Sequence, residues 1–226
     1  MLDESDLTPL GVLRSVFGYP TFRPHQQQIV EAALAGRDVL AVMPTSAGKS
    51  VCYQVPALVR AVQGAGATVV VSPLISLMAD QVQALAQADV AAACLNSAMA
   101  AEDRAAVLED VRRGRLALLY VAPERLGDQR LRDALAYGGM ALLAVDEAHC
   151  ISQWGNDFRP SYQQIREFVD ALAASSGARV PVMALTATAT REVREDIEGA
   201  LGLHDPLRVV ASFDRPNLRF SVERPR

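Results

Sequence analysis

The stretch Val39-Leu40-Ala41-Val42-Met43-Pro44-Thr45-Ser46-Ala47-Gly48-Lys49-Ser50 decides the fold. Its apolar start reads as a strand buried on both faces, and a helical pattern begins at Lys49. A loop ending in Gly-Lys-Ser therefore joins a strand to a helix. Such a joint wraps backbone N–H groups and a helix N-terminus around an anion. Thr45, Ser46, Ala47 and Gly48 would form the cradle, Lys49 would reach the β- and γ-phosphates, and the Ser50 hydroxyl suits Mg2+. The strict phosphate-loop pattern has Gly where Met43 stands. A plain strand–turn–helix joint carries the same local signals, so a second feature is needed. Composition adds a hint: of 22 basic residues, all but Lys49 are arginine. A compact ammonium differs most from a planar guanidinium in a tight phosphate site.

Working outward, apolar runs at 39–43, 68–72, 91–95, 116–122, 141–146 and 182–186 alternate with helical patterns at 9–17, 24–35, 49–62, 76–88, 100–113, 162–174 and 190–201. Pro24 suggests a first helical turn, and Thr190 with Glu192 a helix cap. The alternation predicts an α/β fold, a mostly parallel sheet with helices on both faces. Half of the 226 residues are hydrophobic and 21% are charged, a globular balance. The net charge of −4 provides no bulk positive field for nucleic acid, so any such contact is local. Three dispersed cysteines exclude a dense disulfide scaffold and a cysteine-only zinc site, and suit a reducing compartment. The acidic start MLDESDLTPL lacks the apolar core of a signal peptide, and no run approaches membrane-spanning length. A cytoplasmic protein is expected, nucleoid-associated if bacterial.

The second feature is Leu142-Leu143-Ala144-Val145-Asp146-Glu147-Ala148-His149, an apolar strand delivering two acids at its carboxyl end. Asp146 is suited to hold Mg2+, and Glu147 to orient or deprotonate an attacking water. With Lys49 and Ser50 they make a nucleotide-hydrolysis set. Thr186-Ala187-Thr188 places hydroxyls at another strand end, where they could link that set to a neighbouring surface. Ile151-Ser152-Gln153-Trp154-Gly155-Asn156-Asp157-Phe158-Arg159-Pro160 holds aromatic and guanidinium faces suited to stacking on bases.

With these motifs in hand, the chain resembles the first RecA-like lobe of RecQ-family DNA helicases of superfamily two, over about residues 16–220. Phe17-Gly18-Tyr19 and Phe22-Arg23-Pro24-His25-Gln26 are similar to motif 0. The resemblance implies that Tyr19 stacks on adenine, Arg23 contacts the nucleotide and Gln26 reads the base. Residues 43–50 resemble motif I, continued by Cys52-Tyr53-Gln54. The segment 71–77, with Ser72, Pro73 and Ser76, resembles motif Ia. The segment 120–126, with Pro123, Glu124 and Arg125, resembles motif Ib; both are implied to touch DNA. Asp146-Glu147-Ala148-His149 resembles motif II, a DEAH box, and 186–188 motif III. The loop 151–160 resembles the aromatic-rich loop, the most discriminating of these segments. It implies that Gln153, Trp154, Phe158 and Arg159, with His149, Thr186 and Thr188, couple DNA contact to hydrolysis.

The family implies ATP and Mg2+ as ligands, and single-stranded and partly duplex DNA as partners. It implies 3′–5′ translocation and unwinding in DNA repair or recombination. Residues 1–212 would be the ATP-binding lobe. Residues 213–226 would lead to a second RecA-like lobe and accessory domains outside this chain, so the lobe alone is expected not to unwind DNA. Ser46 stands where the family usually has Gly, and Asn156 where it commonly has His. A non-catalytic ATP- or DNA-binding module and an RNA-directed superfamily-two helicase remain alternatives.

Overall fold

All six predicted strands are present in the computed structural model, which describes residues 7–154 and 157–212. The strands are β1 (Val39–Val42), β2 (Ala67–Val71), β3 (Ala92–Leu95), β4 (Leu118–Val121), β5 (Met140–Val145), β6 (Val182–Thr186) and β7 (Leu207–Val210). The helices are α1 (Pro9–Ser15), α2 (Gln26–Leu34), α3 (Lys49–Val62), α4 (Ile75–Gln87), α5 (Ala101–Arg112), α6 (Gln129–Gly138), α7 (Gln164–Ser176) and α8 (Arg191–Leu201). Among the described residues the sheet has seven strands in the order β3-β4-β2-β5-β6-β1-β7. Every pairing is parallel.

The sheet has a core on each face, and strand residues alternate between them as a two-residue period requires. Val39 and Ala41, Leu118 and Tyr120, Leu142 and Ala144, and Met183 and Leu185 join one core with α1–α4. Leu40, Leu119 and Val121, Leu143 and Val145, and Val182 and Ala184 join the other with α5–α8. Strands buried on both faces explain the unbroken apolar runs in the sequence.

Two elements were not expected from the sequence. Helix α6 is polar (QRLRDALAYG) and is set by its Asp128 cap, whose side chain accepts from the Arg130 N–H, and by buried Leu131, Ala134 and Leu135. Strand β7 is a four-residue edge strand carrying Arg208; pairing with β1 defines it, not its pattern. Pro24 is not in a first helical turn: α2 begins at Gln26, behind His25 in the left-handed region. Thr190 does cap α8, accepting from the Val193 N–H at 3.3 Å. The expected connecting segment, residues 213–226, lies outside the described residues, as do Gly155 and Asn156.

One buried acid ties the lower edge of the sheet together. The Asp38 carboxylate, immediately before β1, accepts from both terminal nitrogens of Arg179 at 2.9 and 2.6 Å. It also accepts from the Val182 N–H at 2.9 Å and the His204 N–H at 2.7 Å, so β1, β6 and the approach to β7 share one anchor. Burial alone would raise the Asp38 pKa, but Arg179 and the two backbone donors outweigh it and hold the pKa below the usual carboxylate value.

Asp38→Ala is expected to lower unfolding free energy by about 3 kcal/mol, and Arg179→Ala by less, because the backbone donors remain. Urea titrations check this. A depressed folded-state pKa means the stabilisation is complete above pH about 4 and fades as pH falls through the folded value. The gap between wild type and Asp38→Ala should therefore close in acid.

Candidate functional site

A parallel sheet brings all its strand carboxyl ends to one edge. The Met43 N–H donates to Thr186 O at 3.0 Å, Asp146 N–H to Val71 O at 2.9 Å and Ser72 N–H to Val121 O at 3.2 Å. The segments after β4, β2, β5, β6 and β1 consequently stand side by side in that spatial order.

After β1, Thr45–Ala47 forms one 3-10 turn, and Gly48 follows at φ 74°, ψ 49°, opening α3 at Lys49. Ser46 and Ala47 do not lie at positive φ, so neither strains the backbone there. Gly48 is the position that demands glycine: its φ is left-handed, and a Cβ would meet Gln26 Nε2 at 2.7 Å. Buried Gln26 braces the loop from beneath. Its Nε2 donates to the Ala47 and Gly48 carbonyls, both at 3.0 Å, while its Oε1 accepts from the Arg23 N–H at 2.9 Å. The Arg23 guanidinium donates to Ser46 O. Two residues expected to face a nucleotide thus also hold the phosphate loop itself. Lys49 is buried, with Nζ 3.5 Å from Met43 O. Thr45 and Ser46 are exposed, and Ser50 is half-buried.

After β5, Asp146 Oδ1 accepts from the Glu147 N–H at 3.0 Å, and the buried Tyr162 hydroxyl donates to Asp146 O at 3.0 Å. Glu147 adopts φ 47°, ψ 46°, a left-handed conformation unusual for a non-glycine residue. Burial, then the Glu147 charge, raise the Asp146 pKa to about 6, against the opposing pull of the Glu147 N–H, Lys49 and His149. His149, hydrogen-bonded to it, then Lys49 keep the Glu147 pKa below its ordinary value despite burial. His149 is pushed up to about 10 by its contacts with Cys150 and Glu147. Its Nε2 lies 3.9 Å from Cys150 Sγ, and its Nδ1 lies 3.3 Å from a Glu147 oxygen. The same Nδ1 is 2.8 Å from the Thr186 hydroxyl, which donates to Thr188 O at 3.1 Å. A polar line therefore runs from Glu147 through His149 and Thr186 to Thr188.

These residues fit a divalent cation. A buried carboxylate whose pKa is raised by burial and a second acid is stabilised by added positive charge. Among the described residues no group of three or more His, Cys, Asp or Glu could hold a metal by itself.

The remaining expected residues, Tyr19 apart, follow β2, β4 and β5 on the same edge. Tyr19 is exposed. Ser72 is buried with no hydrogen-bond partner for its hydroxyl, Pro73 is half-buried and Ser76 exposed. Pro123 is buried, Glu124 accepts from the Ser97 hydroxyl at 3.2 Å, and Arg125 pairs with Asp128. Trp154 is 79% exposed, Gln153 exposed and Phe158 half-buried. Arg159 Nη1 donates to Pro73 O at 3.2 Å, joining the aromatic loop to the segment after β2. The bond from Tyr162 to Asp146 has no signal in the sequence beyond a tyrosine at a helix start. A cavity of about 690 Å3 between α5 and α6 takes in only Arg125 of the expected residues. The convergence of titratable groups, not cavity size, marks the site.

The DEAD/DEAH box helicase family matches residues 23–196. The chain is 45% identical over 220 residues to the ATP-dependent DNA helicase RecQ of Haemophilus influenzae, covering 96% of this chain and 33% of that protein. It is 43% identical to the RecQ of Pasteurella multocida, covering 95% of this chain and 33% of that protein. The chain thus spans about a third of the length of these relatives. Among solved structures, the DUF1998 helicase MrfA bound to DNA aligns with a TM-score of 0.71 at 17% identity, over 93% of this chain and 30% of that one, a likeness of fold.

Gly48→Ala is expected to destabilise the protein by about 1–2 kcal/mol, combining left-handed strain with the clash against Gln26. In a Gln26→Ala background part of that effect should vanish, since the clash goes and the strain stays. Urea midpoints of the four proteins test this non-additivity.

Proposed function

The chain belongs to the DEAD/DEAH box helicase family, and from that premise we propose that it is the first RecA-like motor lobe of a RecQ-type, ATP-dependent 3′–5′ DNA helicase. The observation that carries the reading is one edge on which buried Lys49 charges against Asp146 and Glu147 while Gly48 opens the helix beneath.

In this reading the loop N–H groups of residues 45–50 and the α3 N-terminus cradle the phosphates of ATP, and Lys49 holds the β- and γ-oxygens. Tyr19 stacks on adenine, and Arg23 and Gln26 contact the nucleotide while bracing the loop. Ser50 and Asp146 would hold Mg2+, which neutralises charge on the phosphates. Glu147 remains ionised and orients the attacking water, with His149 fixing its carboxylate. The line through Thr186 and Thr188, with Gln153, Trp154, Phe158 and Arg159, reports DNA occupancy to that carboxylate. Exposed Trp154 offers a stacking face to a base. Ser72, Pro73, Ser76, Pro123, Glu124 and Arg125 line the DNA side. The relatives' greater length leaves room for a second RecA-like lobe, reached through residues 213–226, and for accessory domains. A role in DNA repair or recombination in the cytoplasm accords with this activity.

Mg-ATP should bind this chain, binding should be lost in Lys49→Ala, and Glu147→Gln should bind without hydrolysing. Hydrolysis by the chain alone should be slow, because a second-lobe arginine supplies about 10³–10⁵ in rate. Equilibrium binding and phosphate release measure both. Unimpaired ATP binding by Lys49→Ala would overturn the phosphate-loop assignment. DNA-stimulated turnover at a complete helicase's rate would overturn the need for a second lobe. In the full-length protein, stimulation by RNA in preference to DNA would overturn the DNA assignment.

A further inference from the structure

Trp154 is the chain's one tryptophan, and it is 79% exposed. It borders a cavity of about 240 Å3 whose other walls include Thr188, Thr190 and Val193. Close packing does not fix this residue, so its direction depends on the backbone that carries it. That backbone is tied to a distant helix. Ser152, two residues earlier, is 1% exposed. Its hydroxyl donates to Asp196 Oδ2 at 2.7 Å and accepts from the Trp154 N–H at 3.2 Å. Asp196 lies on α8, which is seated by buried Val193, Ile197 and Leu201 and capped by Thr190. That helix follows directly on the Thr186–Thr188 segment after β6. The far end of the loop is tied as well: the Arg159 N–H donates to Cys150 O at 2.8 Å, and its guanidinium to Pro73 O.

A serine oxygen accepting from the N–H two residues on is a local turn that many loop serines make. The carboxylate is what is not local. A hydrogen bond to an ionised acceptor is about twice as strong as one between neutral groups. It uses the only proton of the hydroxyl, which leaves the oxygen's lone pairs for the Trp154 N–H. Without the carboxylate the hydroxyl can rotate, and one weak local bond is left to order the first turn of the loop. A ring whose backbone is ordered beforehand meets a ligand without losing that freedom on contact, and binds more tightly for it.

We propose that Asp196, acting through Ser152, is a positioning residue for the DNA-stacking face. It ties the Trp154 backbone to α8, so that the helix behind the Thr186–Thr188 segment and the tryptophan are held as one piece. The proposal rests on the reading of Trp154 as a base-stacking face. It makes affinity for a single strand, and not affinity for nucleotide, depend on an acid outside the aromatic loop.

The lone tryptophan serves as the probe. Its fluorescence anisotropy, and the change in its emission as a short oligothymidylate is added, are measured on the chain beside equilibrium binding of Mg-ATP. Asp196→Ala and Ser152→Ala should each lower the anisotropy and weaken oligothymidylate binding by about three- to tenfold, the worth of one hydrogen bond. Mg-ATP affinity should stay within about twofold of wild type, as for separate sites. Asp196→Asn keeps an oxygen that accepts from Ser152 and should restore most of both signals. Glu198→Ala breaks the pair between α8 and Arg208 at 2.7 Å, loosening the same helix away from the loop, and should leave both signals at wild type. Unchanged anisotropy and DNA affinity in both Asp196→Ala and Ser152→Ala would overturn the proposal. So would an equal effect of Glu198→Ala, or an equal loss of Mg-ATP affinity, either of which marks a purely structural role. A wild-type emission that oligothymidylate does not move would refute the reading of Trp154, and the proposal with it. A wild-type response that the variants keep in full refutes only the tie to Asp196. Asp196→Ala, at a half-buried position, decides the matter should Ser152→Ala fail to fold.

Discussion

The upper edge depends on how β1 is gripped. A four-residue strand between β6 and β7 is short, yet it must position the loop that ends at Gly48 and opens α3. At its start, Asp38 accepts from Arg179, Val182 and His204, which fixes β1 against β6 and the approach to β7. At its end, Met43 N–H donates to Thr186 O, so loop and threonine segment share a hydrogen bond. Between these points Val39, Leu40 and Ala41 alternate between the two cores. The strand cannot slip by one residue without exchanging its faces, and the loop's position is therefore set by the whole sheet.

Rigidity at the strand is matched by support under the loop. Thr45–Ala47 turns tightly, and the carbonyls of Ser46, Ala47 and Gly48 are all held by Arg23 or Gln26. With these carbonyls held from below, the loop is oriented before any ligand arrives. Preorganisation of this kind is what an anion site needs, because donors already in place require no rearrangement when charge appears. Ser46 in place of the family's usual glycine is harmless because the 3-10 turn has no left-handed position there. The single left-handed residue of the loop, Gly48, is where the sequence has its glycine.

The sequence was legible where chemistry is local. The Gly-Lys-Ser joint, the Asp-Glu pair at a strand end and the helix at Lys49–Val62 each announce themselves within about a dozen residues. Strand ends moved by two residues at most, because frayed edges depend on pairing and not on pattern. Long-range contacts were not legible. Arg159 reaches Pro73 across 86 positions and Asp38 reaches Arg179 across 141, and no period or spacing encodes either. Helix α6 and strand β7 were missed for a related reason. Each owes its existence to one apolar stripe or one neighbour, and each has too few apolar residues to show a period on its own.

The charges at the edge follow from the same construction. Asp146 and Glu147 are adjacent, so both can be ionised together only if positive groups stand nearby. Lys49 comes from the β1 loop, and His149 comes from the 3-10 turn that Glu147 itself caps in a left-handed conformation. That backbone turn brings the His149 ring within 3.3 Å of the Glu147 carboxylate and 2.8 Å of the Thr186 hydroxyl. The unusual conformation at Glu147 is therefore the local strain that lets one imidazole ring meet two strand ends. A straight exit from β5 would separate the acid from the imidazole, and β6 would lose its polar contact with the acidic pair. The contact between the two strand ends is thus set by the backbone at one residue, and Tyr162 holds that residue's neighbour Asp146 in place through its carbonyl.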